Sequence, residues 1–163
     1  HLRRGLGKPA RMAYEMDRYV LEQLPEEADT RDEDHYYLVA SLFALWHQGK
    51  DKAEILSGER DTDRNLGRSL SMLVQKYTQD GISLDDARKR LEKPLNVLLN
   101  SHSDDLRHHL RRITALLRSK DVPVNWGQLL YDLRHWDADT RFVQHAWAKG
   151  FWIPNRVETT EKE

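Results

Sequence analysis

LRHHLRRITALLRSKDVPVNWGQLLYDLRHWDADTRFVQHAWAKGFW, residues 106–152, carries three helical patterns in succession and holds four of the five tryptophans. In the first pattern Leu106, Leu110, Ile113 and Leu117 recur at helical spacing and form one apolar face. Arg107, Arg111 and Arg118 form an adjoining basic face, and the helix ends near Ser119. Ser103, with Asp104 and Asp105, is the expected cap. Pro123 makes Asp121 to Val124 extended. Asn125 then caps a second helix, with Gln128 in the capping-box position and Trp126, Leu129, Leu130 and Leu133 inward. Asp137 or Asp139 caps the third, whose apolar face is Phe142, Val143, Trp147 and Phe151, and Pro154 marks its end.

Upstream the pattern stays helical. The opening HLRRGLGKPAR reads as a basic, glycine-rich loop, followed by a helix over about 11–24 that Pro25 closes. The acidic run from Glu26 to Asp34 is a solvated loop feeding the next helix, whose exposed N-terminal amides favour carboxylates. That helix spans roughly 33–47, with Tyr36, Val39, Ala40, Phe43 and Trp46 as its inner face, and Gly49 stops it. Residues 50–63 are a polar, charge-balanced connection with few groups to bury. A helix over about 63–77 turns Leu66, Leu70, Leu73, Val74 and Tyr77 inward, leaving Arg64, Arg68 and Gln75 outside. Asp80-Gly81 makes a turn, and Ser83 caps a helix with Leu84, Ala87, Leu91, Leu95 and Leu98 inward, which Pro94 is expected to break or kink. No stretch sustains strand-type alternation. The expected class is all-α, a compact helical bundle protein with one domain over 1–154 and a polar, disordered tail over 155–163.

With 39% hydrophobic and 33% charged residues in 163, the chain is large enough to bury a core. The sequence contains no cysteine, which excludes disulfides, thiolate metal sites and a cysteine nucleophile, and fits a reducing cytoplasm. No apolar run approaches the roughly 18 residues of a membrane span. The net charge of −1 conceals segregation. Seven acids between Glu22 and Asp34 face only Arg31, whereas residues 106–152 carry eight Lys or Arg against four Asp. The basic segments attract a polyanion that the acidic one repels.

The arginine face has a bland reading as a solvated, ion-paired surface. Against it, no acid lies three or four residues from Arg111 or Arg118 within the helix, and arginine suits bidentate contact with phosphate. Arg64 and Arg68 form a second basic pair, and Arg3, Arg4, Lys8 and Arg11 a third cluster. Such a distributed positive surface suits nucleic-acid backbone. The tryptophans read first as core or interface anchors, with Trp136 and Trp152, at helix ends, as interface candidates. His108 and His109 point about 100° apart on a helix and do not share an ion. No Walker motif, nucleophile elbow or suggestive carboxylate pair is present. Neither a catalytic residue, a metal nor a cofactor is expected.

The string Val124-Asn125-Trp126-x-x-Leu129-Leu130-x-Asp132-Leu133-x-x-Trp136 is preceded by Leu110-Arg111-Arg112 and followed by Val143-Gln144-x-x-Trp147-Ala148-x-x-Phe151-Trp152. With Leu2-Arg3-Arg4-Gly5 and Asn65-Leu66-Gly67-Arg68-Ser69-Leu70, this ordered set resembles the CasB family, the small subunit of the type I-E CRISPR Cascade complex. The resemblance runs from Leu2 to Trp152. It implies a non-enzymatic, cytoplasmic subunit of two small helical bundles (1–80 and 81–154) that self-associates as a dimer. It also implies partners: DNA and guide RNA, together with the large and backbone subunits of the complex. Its role would be to hold DNA strand backbone and stabilise the R-loop while base pairing reads the sequence. Arg3, Arg4, Arg68, Arg111 and Arg112 match the family's basic positions; Arg64, Arg107 and Arg118 come from the helical-wheel argument. The family has a further helix before the Leu-Arg-Arg loop, which points to a trimmed N-terminus here. The alternative from another class is a protein-interaction module with a tryptophan-rich docking surface and no nucleic-acid role.

Overall fold

The computed structural model describes residues 16–50 and 64–154. Arg3, Arg4, the connection over 51–63 and the tail over 155–163 lie outside the described residues, as do the first residues of the helix expected over 11–24. Within them the architecture is all-helical, without a strand. A short α1 (Asp17–Val20) continues into a 3₁₀ turn, and α2 (Thr30–Trp46), α3 (Leu66–Gln79) and α4 (Leu84–Leu99) follow. A second 3₁₀ turn (Ser103–Asp105) leads into α5 (Leu106–Ser119), then α6 (Trp126–Arg134) and α7 (Phe142–Trp152).

Short polar side chains start most of these helices by accepting from otherwise orphaned amides. Asp29 accepts from the Arg31 and Asp32 amides at 2.9 and 2.8 Å, so α2 begins inside the acidic run rather than after it. Asn65 Oδ1 caps α3 through the Arg68 amide at 3.0 Å, and Ser83 Oγ caps α4 through Asp86 at 3.1 Å. Asn125 Oδ1 caps α6 through Gln128 at 2.9 Å. The Gln128 side chain donates from Nε2 to Asp132 at 2.8 Å.

Two expected caps are replaced. Asp104 and Asp105 sit in the 3₁₀ turn, and Asp105 makes no side-chain cap to α5. At α7 the capping position falls on Arg141, in the left-handed region at φ 52, rather than on Asp137 or Asp139. Asp137 is drawn to Arg31 by an ion pair. Pro94 does not end α4, which runs through it. The acceptor that Pro94 leaves without an amide is the carbonyl of Arg90, an exposed residue, so the missing bond falls on the solvent side of the helix.

One core cluster draws on every helix from α2 to α7, including Leu42, Leu70, Leu73, Leu95, Leu98, Leu110, Leu117, Leu133 and Trp147. A satellite cluster of Met16, Val20 and Tyr37 pins α1 to α2, helped by the Tyr37 hydroxyl donating to Asp17 at 2.5 Å. Serving both clusters, α2 is buried on two sides and has no single apolar stripe. Val39 and Trp46 of its expected inner face are buried. Tyr36, Ala40 and Phe43 are only half-buried, while Tyr37, Leu38 and Leu42 take the interior. The other inner faces match in part. Leu84 and Phe142, expected inward, are 50% and 41% exposed, because each is the first residue of its helix and lies short of the packed turns. Tyr77, Trp126 and Leu130 are half-buried. In α3 Leu66, Leu70, Leu73 and Val74 are buried, and in α5 Leu106, Leu110, Ile113 and Leu117.

Candidate nucleic-acid interface

α5 is held by its leucine face against α2 and α4, which determines where each arginine goes. Near its start, Arg107 is half-buried and feels the charge of Asp34 on α2; burial pushes its guanidinium pKa down. Near its end, Arg118 donates from Nη2 to the Gln48 carbonyl just beyond α2, at 2.8 Å. The two helices therefore run parallel, and both ends of the arginine stripe lean on α2 rather than outward. Trp46 Nε1 donating to the Val122 carbonyl at 2.9 Å fixes the same register.

Arg111 and Arg112 are left. Both are exposed, one turn along the helix from His108, which is exposed too. Among the described residues neither guanidinium meets a carboxylate. Many other cations do: Arg31 with Asp137, Lys50 with Asp121, Lys89 with Asp85, Lys120 with Asp80 and Arg134 with Asp32. Arg111 and Arg112 thus form an uncompensated basic spot on the outer side of α5.

A second basic element sits at the start of α3. Arg68 is exposed, Arg64 is half-buried, and the Asn65 cap lies between them. This end of α3 presses on α7: Asn65 Nδ2 donates to the Ala146 carbonyl at 3.1 Å while its Oδ1 caps α3. Gly67 lies against the Trp147 backbone, and a Cβ on Gly150 would sit 2.9 Å from the Arg68 amide. Arg68 is therefore carried on a backbone that its neighbours hold in place. Arg3 and Arg4, the remaining expected contacts, lie outside the described residues.

Beneath the surface, charge patterning along the chain did not reveal a buried polar pair. Asp132 is 4% exposed and accepts from Trp147 Nε1 at 2.6 Å and Gln128 Nε2 at 2.8 Å. Burial pushes its carboxyl pKa above the ordinary range despite those donors. Its place on the inner face of α6, four residues from Gln128, was the available signal. Trp136 is likewise internal, 3% exposed, with Nε1 donating to the Ser101 carbonyl at 3.1 Å. Of the tryptophans in residues 106–152, Trp147 is buried, Trp126 is half-buried and only Trp152 is exposed, so no tryptophan-rich surface forms. Among the described residues no cluster of three or more metal-ligating side chains forms, and no helix is long and apolar enough to cross a membrane.

The family model for CRISPR-associated protein Cse2 matches residues 1–152. Solved structures agree with it. The crystal structure of CasB from M. ruber is 26% identical, with a TM-score of 0.71 over 93% of this chain and 81% of that one. A Cse2-family CRISPR-associated protein from Thermus thermophilus is also 26% identical, with a TM-score of 0.69 over 93% and 82% of the two chains. A chain of a CRISPR RNA-guided surveillance complex is 27% identical, with a TM-score of 0.66 over 92% and 78%. No curated protein sequence matches.

Proposed function

The chain belongs to the Cse2 family of CRISPR-associated proteins, and we propose that it serves as a non-catalytic subunit of an RNA-guided surveillance complex of the type I-E Cascade class. In that role it holds the sugar-phosphate backbone of opened DNA and stabilises the R-loop. The observation that carries this reading is the outward pair Arg111 and Arg112, exposed on a helix fixed by its leucine face and without carboxylate partners among the described residues. Planar guanidiniums held this way bind phosphate oxygens bidentately and leave sequence reading to the guide. Arg64 and Arg68 at the start of α3 add further basic side chains, and this reading assigns Arg3 and Arg4 to the same role. Guide RNA, the large and backbone subunits and a second copy of the chain are the partners this reading assigns.

The test is fluorescence anisotropy of labelled single-stranded DNA with the reconstituted complex across a salt series. Each phosphate contact contributes about −0.7 to the slope of log affinity against log salt. Replacing Arg111 and Arg112 by Glu is expected to weaken binding and to lower the slope by about 1.4. An unchanged slope with unchanged affinity rejects the assignment of these two residues.

A further inference from the structure

Between α3, the start of α4 and the end of α7 lies an open groove of about 570 Å³. Val74 and Phe151 form its buried floor, and Leu84, Trp152 and Ile153 its walls, 50%, 40% and 42% exposed. Large apolar side chains scattered singly over a surface need no explanation, whereas here three converge on one concavity. Arg88 lines the same groove. Glu92 lies four residues further along α4, suitably spaced for an ion pair, yet Arg88 makes none among the described residues. Its neighbour Lys89 is already paired with Asp85 at 2.6 Å.

We propose that this groove seats an apolar segment of a partner polypeptide that presents a carboxylate to Arg88. The inference rests on the chain's being a subunit of a larger assembly, and it adds the surface and the chemistry of the contact. The lining selects the occupant. The lining is mainly apolar and holds one cation, whereas a nucleic-acid strand calls for several cations along its backbone. An apolar floor with a single charged anchor matches the recognition of a short amphipathic segment.

The test reconstitutes the full chain with guide RNA and the other purified subunits of its surveillance complex. Leu84→Asp, Ile153→Asp and Arg88→Glu alter exposed or half-exposed side chains, and circular dichroism verifies that each variant is folded. Each is expected to weaken incorporation about tenfold or more, read by native mass spectrometry in a titration. A photo-crosslinking p-benzoylphenylalanine at position 84 is expected to label a partner-subunit peptide with apolar residues beside Asp or Glu. Wild-type incorporation of all three variants overturns the proposal, as does a crosslink to nucleic acid, to a second copy or within the chain itself. The Arg111→Glu/Arg112→Glu variant separates the two readings, since it is expected to incorporate normally and fail in DNA capture. If the wild-type chain joins no such assembly, the docking proposal falls together with the proposed function.

Discussion

Gly67 on α3 packs its backbone directly onto the carbonyl of Trp147 on α7, so closely that a Cβ would collide with that carbonyl. Both sides of the contact are main chain, and neither can swing away as a side-chain tip does. Gly67→Ala must therefore force the two helices apart and loosen the core around Trp147, the largest fully buried side chain. The expected loss is about 3 kcal/mol, at the upper end for overpacking. Urea unfolding should show a lower midpoint with an unchanged slope; a variant as stable as the parent would mean that the helices do not cross this closely.

Asn65 works in two directions at the same crossing, and two substitutions separate them. Asn65→Asp keeps an acceptor for the Arg68 amide but loses the donor to the Ala146 carbonyl and sets a carboxylate against it. Asn65→Ala loses the cap as well, worth about 1 kcal/mol. If the interhelical bond carries most of the effect, both variants fall equally. If the cap dominates, the Asp variant stays close to the parent. Thermal unfolding of the pair decides between these.

The fold was largely legible because most helices here carry one apolar stripe each. Leu66, Leu70, Leu73 and Val74 announce α3, and Leu106, Leu110, Ile113 and Leu117 announce α5. α2 was harder to read, because a helix packed on two sides has no periodic contrast between Tyr37 and Leu38 that would mark an inside. The arginines were legible as a stripe but not in their roles. A wheel places Arg107, Arg111 and Arg118 on one face, yet only the parallel packing of α2 shows that the outer two lean on it. The tertiary placement of Asp137 beside Arg31 likewise removed it as a cap for α7. The groove around Arg88 joins residues 74, 84 and 151, far apart in the chain, and no local pattern signals it.

Acid should destabilise the protein through two histidines. Burial holds the pKa of His35 below its ordinary 6.5, helped by the charge of Arg31, and burial does the same to His47. The Nδ1 of His35 is buried without a hydrogen-bond partner. Between the folded and unfolded values the unfolded chain binds more protons. The stability these residues contribute is thus complete above pH 6.5 and is lost as pH falls through their folded values. The urea midpoint is expected to drop as pH falls below 6.5, and His35→Phe to flatten part of that drop. A midpoint that holds level as pH falls contradicts the assignment.

Asp132 has the opposite sign. Its carboxyl is raised above the ordinary 3.8, so the folded chain holds the proton more tightly. Its contribution is greatest below pH 3.8 and is lost as pH rises through the folded value. Asp132→Asn removes the charge, and its amide can accept from Trp147 while donating to a turned Gln128. That variant should match or exceed the parent at neutral pH. Asp132→Ala strands both donors in the core and should lose about 2 kcal/mol. Equal behaviour of the two variants would show that the charge, rather than the hydrogen bonds, sets the stability.

The arginines of α5 should divide between structure and binding. Arg118→Ala removes the donor to the Gln48 carbonyl and is expected to lower stability by about 1 kcal/mol. Arg111→Ala and Arg112→Ala remove exposed side chains that meet no carboxylate among the described residues, so stability should change by less than about 0.5 kcal/mol. Their effect should appear in DNA binding and its salt dependence. A measurable loss of stability in Arg111→Ala comparable with that in Arg118→Ala would return Arg111 to a structural role. The backbone-binding surface would then rest on Arg112 and on the start of α3, where Arg68→Ala is the variant to measure next.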